Sequence, residues 1–312
     1  MKIGLIDVDG HNFPNLSLMK ISAYHKSIGD SVEWYSPLLS KRLDVVYMSK
    51  VFSFTPNYKY PVRAKEIRKG GTGYAIKLVD GIEQYDKSKD PQLPPEIEHI
   101  YPDYSLYPKL TKDTAYGFLS RGCPRGCDFC HVKFKEGCKA YKVADLSEFW
   151  NGQKNIVLCD PNILACPEWE DLLQQLIDSK AYIDINQGLD IRLMTEEKAA
   201  MIKKLKVKRI HFAWDRYEDK DIVVPKFKMF SEILSSNPRK LSVYILTNFN
   251  TTIEQDLDRI YTLRDLGYSP YVMIYNKQAT KPGDKIRKLQ RWVNNRYVFW
   301  ATKTFEDYLT HV

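Results

Sequence analysis

The sequence lacks the features that mark membrane and secreted proteins. Its 312 residues contain no apolar run near the ~20 residues that a membrane-spanning helix needs. Asp7 and Asp9 interrupt the N-terminal apolar stretch before a signal-peptide core could form. Hydrophobic residues make up 44% and charged residues 28% of the chain, which is typical of globular proteins. We therefore expect a cytoplasmic protein with no membrane partner, built as one large or two modest domains.

Cysteine is also scarce, and its placement is uneven. The chain has six cysteines, and none precedes Cys123. In a reducing compartment such cysteines are expected to be ligands or thiols rather than disulfides. Cys123, Cys127 and Cys130 follow the spacing C-x-x-x-C-x-x-C. No fourth ligand stands at the spacing that tetrahedral zinc sites use, whereas a [4Fe–4S] cluster can take three thiolates from one tight loop and keep one iron open.

The other residues of this loop suit a cluster. Gly122 and Gly126 allow backbone conformations that are closed to other residues, and Pro124 stiffens the turn between them. A strand-like segment, Tyr116-Gly-Phe-Leu-Ser120, precedes the loop. The alternative is a non-catalytic protein in which these cysteines form a structural zinc site or are three unconnected thiols.

The segment Cys123-Pro-Arg-Gly-Cys-Asp-Phe-Cys130, including the aromatic Phe129 before the third cysteine, resembles the cluster motif of the radical S-adenosylmethionine (SAM) superfamily. The resemblance implies that Cys123, Cys127 and Cys130 hold a [4Fe–4S] cluster whose open iron binds the amino and carboxylate groups of SAM. An electron from the cluster then cleaves SAM to methionine and a 5′-deoxyadenosyl radical, which abstracts hydrogen from the substrate. It also implies an electron donor such as flavodoxin or ferredoxin, and Phe129 beside the cofactor.

Alternating strand and helix patterns predict an α/β fold with parallel sheets. Residues 1–85 are expected to form a small Rossmann-like domain, and the proline- and tyrosine-rich residues 86–112 a linker. Residues 113–278 show six β units, which is the number in the partial (β/α)6 barrel of the radical SAM family. Helices are expected between these strands, near residues 143–150, 168–179, 195–205, 226–235 and 253–266. Residues 279–312 form a basic and aromatic C-terminal helical segment. This order resembles the branch of the superfamily with an N-terminal cobalamin-binding-like domain.

Polar residues follow the predicted barrel strands, where the active groups of parallel barrels lie. SAM presents an ammonium, a carboxylate, a ribose and an adenine, so it needs a carboxylate, a cation and neutral hydrogen-bonding groups. By position Asp160 stands where the family commonly has a Gly-Gly-Glu segment for the ammonium. Arg192 either meets the SAM carboxylate or forms an ion pair within the barrel. The expected cofactor-binding residues are Phe129, Asp160, Asn162, Gln187, Arg192 and Thr247.

Two further cofactors are alternatives. Cys138, Cys159 and Cys166 either hold a second cluster or are small core residues. The methylthio-transferring members of the family carry their second cluster in the N-terminal domain, where this chain has no cysteine. The segment Asp9-Gly-His-Asn-Phe-Pro14 partly matches the D-x-H-x-x-G motif of cobalamin-binding domains, so His11 is either a cobalt ligand, in a cobalamin-dependent methyltransferase, or a surface residue.

The substrate is predicted only as a class. The formal net charge is +8, and basic residues of the C-terminal segment alternate with Trp292, Tyr297 and Trp300. Such a pattern favours RNA or another anionic substrate. The same segment carries apolar residues at helical spacing, which instead predicts a helix that docks on the core through Ile286, Leu289, Trp292 and Val293.

Overall fold

The chain forms two compact units, Met1–Val157 and Leu158–Val312. The computed structural model describes residues 1–10, 12–79, 82–207, 209–234 and 240–310. His11, the predicted cobalt ligand, lies outside the described residues. The boundary between the two units falls within a strand, between Val157 and Leu158. The domain limits expected from the sequence, with a linker at residues 86–112, stay predictions.

The first unit begins with a parallel sheet. Its elements are β1 (Lys2–Asp7), α1 (Leu16–Ser27), β2 (Ser31–Trp34), β3 (Leu43–Ser49) and β4 (Ala64–Gly70), and all pairings in the strand order β2-β1-β3-β4 are parallel. Helix α1 begins where the Asn15 side chain accepts a hydrogen bond from Leu18 N, and Leu18 packs with Ile3 and Leu5 of β1. The predicted parallel α/β sheet is confirmed. Residues 36–42 and 50–63, which join β2 to β3 and β3 to β4, are loops and not the helical connections that the pattern suggests.

The rest of the first unit consists of short elements. They are α2 (Thr72–Ala75), β5 (Ile76–Val79), β6 (Ile82–Tyr85), α3 (Pro95–Glu98), α4 (Pro108–Thr111), β7 (Thr114–Gly117), β8 (Ser120–Arg121), α5 (Val132–Lys135), β9 (Tyr141–Lys142) and β10 (Asn155–Leu158), whose last residue begins the second unit. The predicted helix at 143–150 is wrong, because only a single 3-10 turn, Leu146–Glu148, forms there. Helix α2 is tied to the segment after the cysteines, since Lys135 Nζ donates to Thr72 Oγ1 at 2.7 Å.

The second unit alternates helices and parallel strands. Its elements are α6 (Trp169–Asp178), β11 (Tyr182–Ile185), α7 (Glu196–Lys204), β12 (Lys206–Val207), β13 (Ile210–Ala213), α8 (Lys220–Leu234), β14 (Leu241–Thr247), α9 (Ile253–Asp265), β15 (Ser269–Ile274), α10 (Lys285–Asn294), α11 (Arg296–Ala301) and α12 (Phe305–Leu309). Strands β11 and β12 pair in parallel, and so do β13, β14 and β15 in that order. The predicted cap of α7 is confirmed, since the Thr195 side chain accepts a hydrogen bond from Lys198 N. Helix α8 begins at Lys220, earlier than the predicted 226, with Pro225 inside it.

The C-terminal segment docks through its apolar residues. Ile286, Leu289, Trp292 and Val293 of α10 are buried, which confirms the docking-helix interpretation of their spacing. Trp292 is fully buried, with its ring 5.0 Å from that of Phe299 and 5.4 Å from that of Phe305. Its ring therefore cannot stack on a nucleobase. Among the helices that the structure describes, none combines the length and the apolar character that crossing a membrane requires.

Candidate functional site

The three motif cysteines lie on a loop of the first unit that leaves β8 and returns through β9. The two short strands are antiparallel, with Ser120 opposite Lys142 and Arg121 opposite Tyr141. Cys123 N donates to Gly137 O at 3.3 Å and closes the base of the loop, and Cys130 N donates to Cys127 O at 3.1 Å and forms a tight turn. Cys123, Cys127 and Cys130 are all partly buried. The loop thus holds three thiols near the surface, where a cofactor can reach them.

Gly122 is the residue that allows the loop to close. Its φ is +80°, and a Cβ atom built on it would lie 2.0 Å from Lys139 O and 2.9 Å from Lys139 C. Both neighbouring atoms belong to the backbone, so they cannot move aside as a flexible side chain would. Only glycine fits where the outgoing and returning chains come this close.

Charged side chains fix the flanks of the loop. Glu136 accepts a hydrogen bond from Gly122 N at 3.0 Å and pairs with Arg121 at 2.9 Å. Lys133 Nζ donates to Gly126 O at 3.2 Å, which holds the middle of the loop against α5. These contacts give the loop a defined conformation.

The residues next to the cysteines face partly to solvent. Phe129, predicted to lie beside the cofactor, is half-buried next to Cys130. His131 Nε2 lies 3.0 Å from Glu83 Oε2. Burial alone would raise the pKa of Glu83, but its hydrogen bonds with His131 and Ser53 together lower that pKa.

The second unit carries the polar residues predicted after the strands, and Asp190 brings two of them together. Asn162 Nδ2 donates to Asp190 Oδ2 at 3.4 Å, and Arg192 pairs with Asp190 and with Asp219, at 2.8 Å each. Burial would lower the pKa of Arg192, but its bonds to the two carboxylates raise it. Arg192 therefore makes the ion pairs that were one of its two predicted roles.

The other three predicted residues differ in exposure. Asp160, just after β10, is fully buried. Gln187, after β11, is exposed. Thr247 ends β14, and its buried hydroxyl donates to Met273 O at 3.2 Å, so it joins β14 to β15.

The sequence pattern does not single out a buried charge network at the ends of β13 and β14. Arg259 of α9 is fully buried, donates to the carbonyls of Trp214, Asp215 and Leu246, and pairs with Asp256. Burial raises the pKa of Asp215 to about 6, although its Oδ1 accepts a hydrogen bond from Leu246 N at 3.1 Å. One signal in the sequence points to Arg259, because it falls in the helical stripe that also contains Ile260 and Leu263.

Two observations bear on the alternative cofactors. Cys166 is buried, and its thiol pKa is raised to about 11 by burial and by the hydrogen bond to Glu168 at 3.1 Å, so it behaves as a core residue. Asp9, the acid of the segment that partly matches the cobalamin motif, accepts hydrogen bonds from Val51 N and Phe52 N and from the Thr55 hydroxyl. Its carboxylate therefore holds the loop after β3.

Within the described part of the chain, no group of three or more His, Cys, Asp or Glu side chains is arranged to hold a single metal ion. A scan against models of protein families and a search of the curated proteins both find no match to this chain.

Proposed function

We propose that this protein is a radical SAM enzyme whose [4Fe–4S] cluster is held by Cys123, Cys127 and Cys130. The observation that carries the proposal is the C-x-x-x-C-x-x-C spacing on a loop closed at Gly122, with all three cysteines partly buried. The proposed fold is a partial (β/α)6 barrel over residues 113–278, preceded by a Rossmann-like domain. We further propose a cytoplasmic location and an electron donor of the flavodoxin or ferredoxin kind, because such a cluster needs reducing conditions.

The chemistry of the donor set fits this cluster better than a single zinc ion. A structural zinc site needs four ligands that converge on one point, whereas a cubane cluster spreads its thiolates over separate irons. In the sequence, Cys123, Cys127 and Cys130 have no fourth ligand at the spacing of a zinc site, and this donor set suits the second arrangement. When bound, the cluster would supply the electron that cleaves SAM and so generates the radical that abstracts hydrogen from the substrate. The chain's own part is to hold the loop, which Glu136 does through Gly122 N and Arg121.

We assign SAM binding to Phe129 and to the polar residues after the strands of the second unit. Asp160 is the proposed partner of the SAM ammonium because it is the carboxylate that directly follows β10. Arg192 is engaged by two carboxylates, and its proposed part is to hold Asp190, which in turn accepts the hydrogen bond from Asn162. Gln187 and Thr247 complete the proposed set. Cobalamin is left out of the proposal, since the carboxylate of Asp9 is engaged by the loop after β3.

The test is anaerobic reconstitution of the full chain with iron and sulfide. We expect about four irons per chain, and 5′-deoxyadenosine after incubation with SAM and dithionite. A variant with Cys123, Cys127 and Cys130 all replaced by alanine should lose both. Cys138→Ala is the matched control, because Cys138 is an exposed cysteine outside the motif and its removal should change neither.

Two results would contradict the proposal. Full iron content in the triple alanine variant would show that the motif cysteines do not hold the cluster. Stoichiometric zinc in the purified protein, together with no 5′-deoxyadenosine, would instead establish the non-catalytic zinc protein.

A further inference from the structure

The first unit has an open pocket at the point where the strand order of its parallel sheet reverses. From β1 the chain continues to β2 on one side, whereas β3 lies on the other side of β1. In open parallel sheets the crevice at the carboxyl ends of two such strands is the usual place for a ligand. Here that crevice is a pocket of about 480 Å³, lined by Val8 and Asp9 after β1 and by residues 54–60 after β3. Its volume lies in the range of small-molecule sites.

Aromatic rings line this pocket and face solvent. Phe54 is 66% exposed and Tyr60 is 65% exposed, so the two rings present a large aromatic surface to solvent. The rings of Phe52 and Phe54 are stacked, with centroids 5.1 Å apart, and those of Tyr58 and Tyr60 meet edge to face at 5.7 Å. Clustered exposed aromatic rings mark a surface that binds another molecule.

The chain segment that carries these rings is rich in basic residues. Residues 50–70 contain the acid Glu66 and the bases Lys50, Lys59, Arg63, Lys65, Arg68 and Lys69. Arg68 pairs with Glu66, and Lys65 pairs with Asp44. Lys59 and Arg63 are exposed, and within the described ranges neither forms an ion pair. Lys59, which lines the pocket with Phe54 and Tyr60, and Arg63, three residues after Tyr60 in the chain, are thus available to an anionic ligand.

The acid in the pocket wall is engaged by the loop that carries the rings. Asp9 accepts hydrogen bonds from Val51 N at 2.5 Å, from Phe52 N at 3.3 Å and from Thr55 Oγ1 at 2.7 Å. Its carboxylate is therefore directed to the loop that carries the rings. Asp9 is a positioning residue, because it fixes the loop in the conformation that presents Phe54 and Tyr60.

We propose that this pocket binds single-stranded nucleic acid, with a base stacked on Phe54 and Tyr60 and phosphates near Lys59 and Arg63. Rings that stack on bases, next to cations that contact phosphates, are the combination by which proteins hold single strands. A double helix would not fit these rings, because its bases are already stacked within the duplex. The inference does not depend on the proposed cluster chemistry, since binding needs neither SAM nor an electron.

The test is fluorescence anisotropy with labelled oligo(U) and oligo(dT), using the full-length reconstituted protein without SAM. We expect binding that weakens steeply as salt rises, because phosphate contacts release counterions. Phe54→Ala and Tyr60→Ala should each weaken binding roughly 5- to 150-fold, which is the usual effect of removing one stacking ring. Both side chains are exposed, so the variants should keep the wild-type thermal midpoint.

Tyr297→Ala is the matched control. Tyr297 is 91% exposed and lies among the basic residues of the C-terminal segment, so its loss removes an exposed ring near cations outside the pocket. We expect the Tyr297→Ala variant to bind both oligonucleotides with the affinity of the wild type. Tighter binding of oligo(U) than of oligo(dT) would identify RNA as the ligand, and equal binding would identify single strands of either kind.

Three results would overturn the inference. They are the absence of binding to both oligonucleotides, affinity that Phe54→Ala and Tyr60→Ala leave unchanged, and a loss that occurs in Tyr297→Ala instead. The last result would locate nucleic-acid binding on the C-terminal segment.

Discussion

A methyl group added at Gly122 should open the cysteine loop, and the cost can be worked out from the contacts there. A non-glycine residue at φ +80° costs roughly 1–2 kcal/mol. The added Cβ would lie 2.0 Å from Lys139 O, so β8 and β9 must separate. The separation sacrifices the hydrogen bond from Cys123 N to Gly137 O and the charge-assisted bond from Gly122 N to Glu136, roughly 2–4 kcal/mol together. The total of roughly 3–6 kcal/mol is a large part of the free energy of unfolding of a whole domain, so we expect the loop to lose its closed conformation.

The measurement is the iron content of Gly122→Ala after anaerobic reconstitution, beside Gly137→Ala as the control. Gly137 has a φ of +95°, but nothing lies within 4 Å of the position of its Cβ, so alanine there costs only the roughly 1–2 kcal/mol of backbone strain. We expect Gly122→Ala to lose most of its iron and Gly137→Ala to keep most of it. Wild-type iron in Gly122→Ala, or equal losses in the two variants, would refute the reasoning that close approach to Lys139 shapes the site.

Three further predictions concern the second unit. The pKa of Asp215 is raised from 3.8 to about 6. The protonated carboxyl group therefore stabilises the folded state by up to roughly 3 kcal/mol below pH 4, and this contribution is lost as the pH rises through about 6. Asp215→Asn should abolish this part of the pH dependence in urea unfolding, and an identical pH dependence in both proteins would disprove it. Arg259→Met leaves the Asp256 carboxylate buried without its cation and should cost about 3–5 kcal/mol in the same assay, whereas a loss below about 1 kcal/mol would contradict the buried network. Asp160→Asn keeps the side-chain shape but removes its charge, so the dissociation constant for SAM should rise roughly 10- to 150-fold by calorimetry; an unchanged constant would remove Asp160 from the site.

Much of the secondary structure follows from local signals in the chain. Thr195 marks the start of α7 because its hydroxyl accepts a hydrogen bond from a backbone N–H three residues on. The spacing of Leu289, Trp292 and Val293 gives α10 one apolar face, and that face is the buried one. The cysteine spacing and the unusual backbone conformation of Gly122 are also readable from the sequence, whereas the close approach of Lys139 to Gly122 is not.

Other features depend on contacts between residues far apart in the chain, and no local pattern encodes them. β4 is mostly charged and exposed, and it is a strand because it pairs with the edge of β3. Arg259 falls in the apolar stripe of α9, but its partners, the carbonyls after β13 and near the end of β14, come from distant parts of the chain. The pocket beside Phe54 exists because β1 and β3 are neighbours although α1 and β2 separate them in sequence. The sequence by itself therefore determined many of the helices and strands and the cysteine motif, whereas the tertiary structure decided which charges are buried, which rings are exposed and where the sheet leaves an open crevice, since long-range packing sets all three.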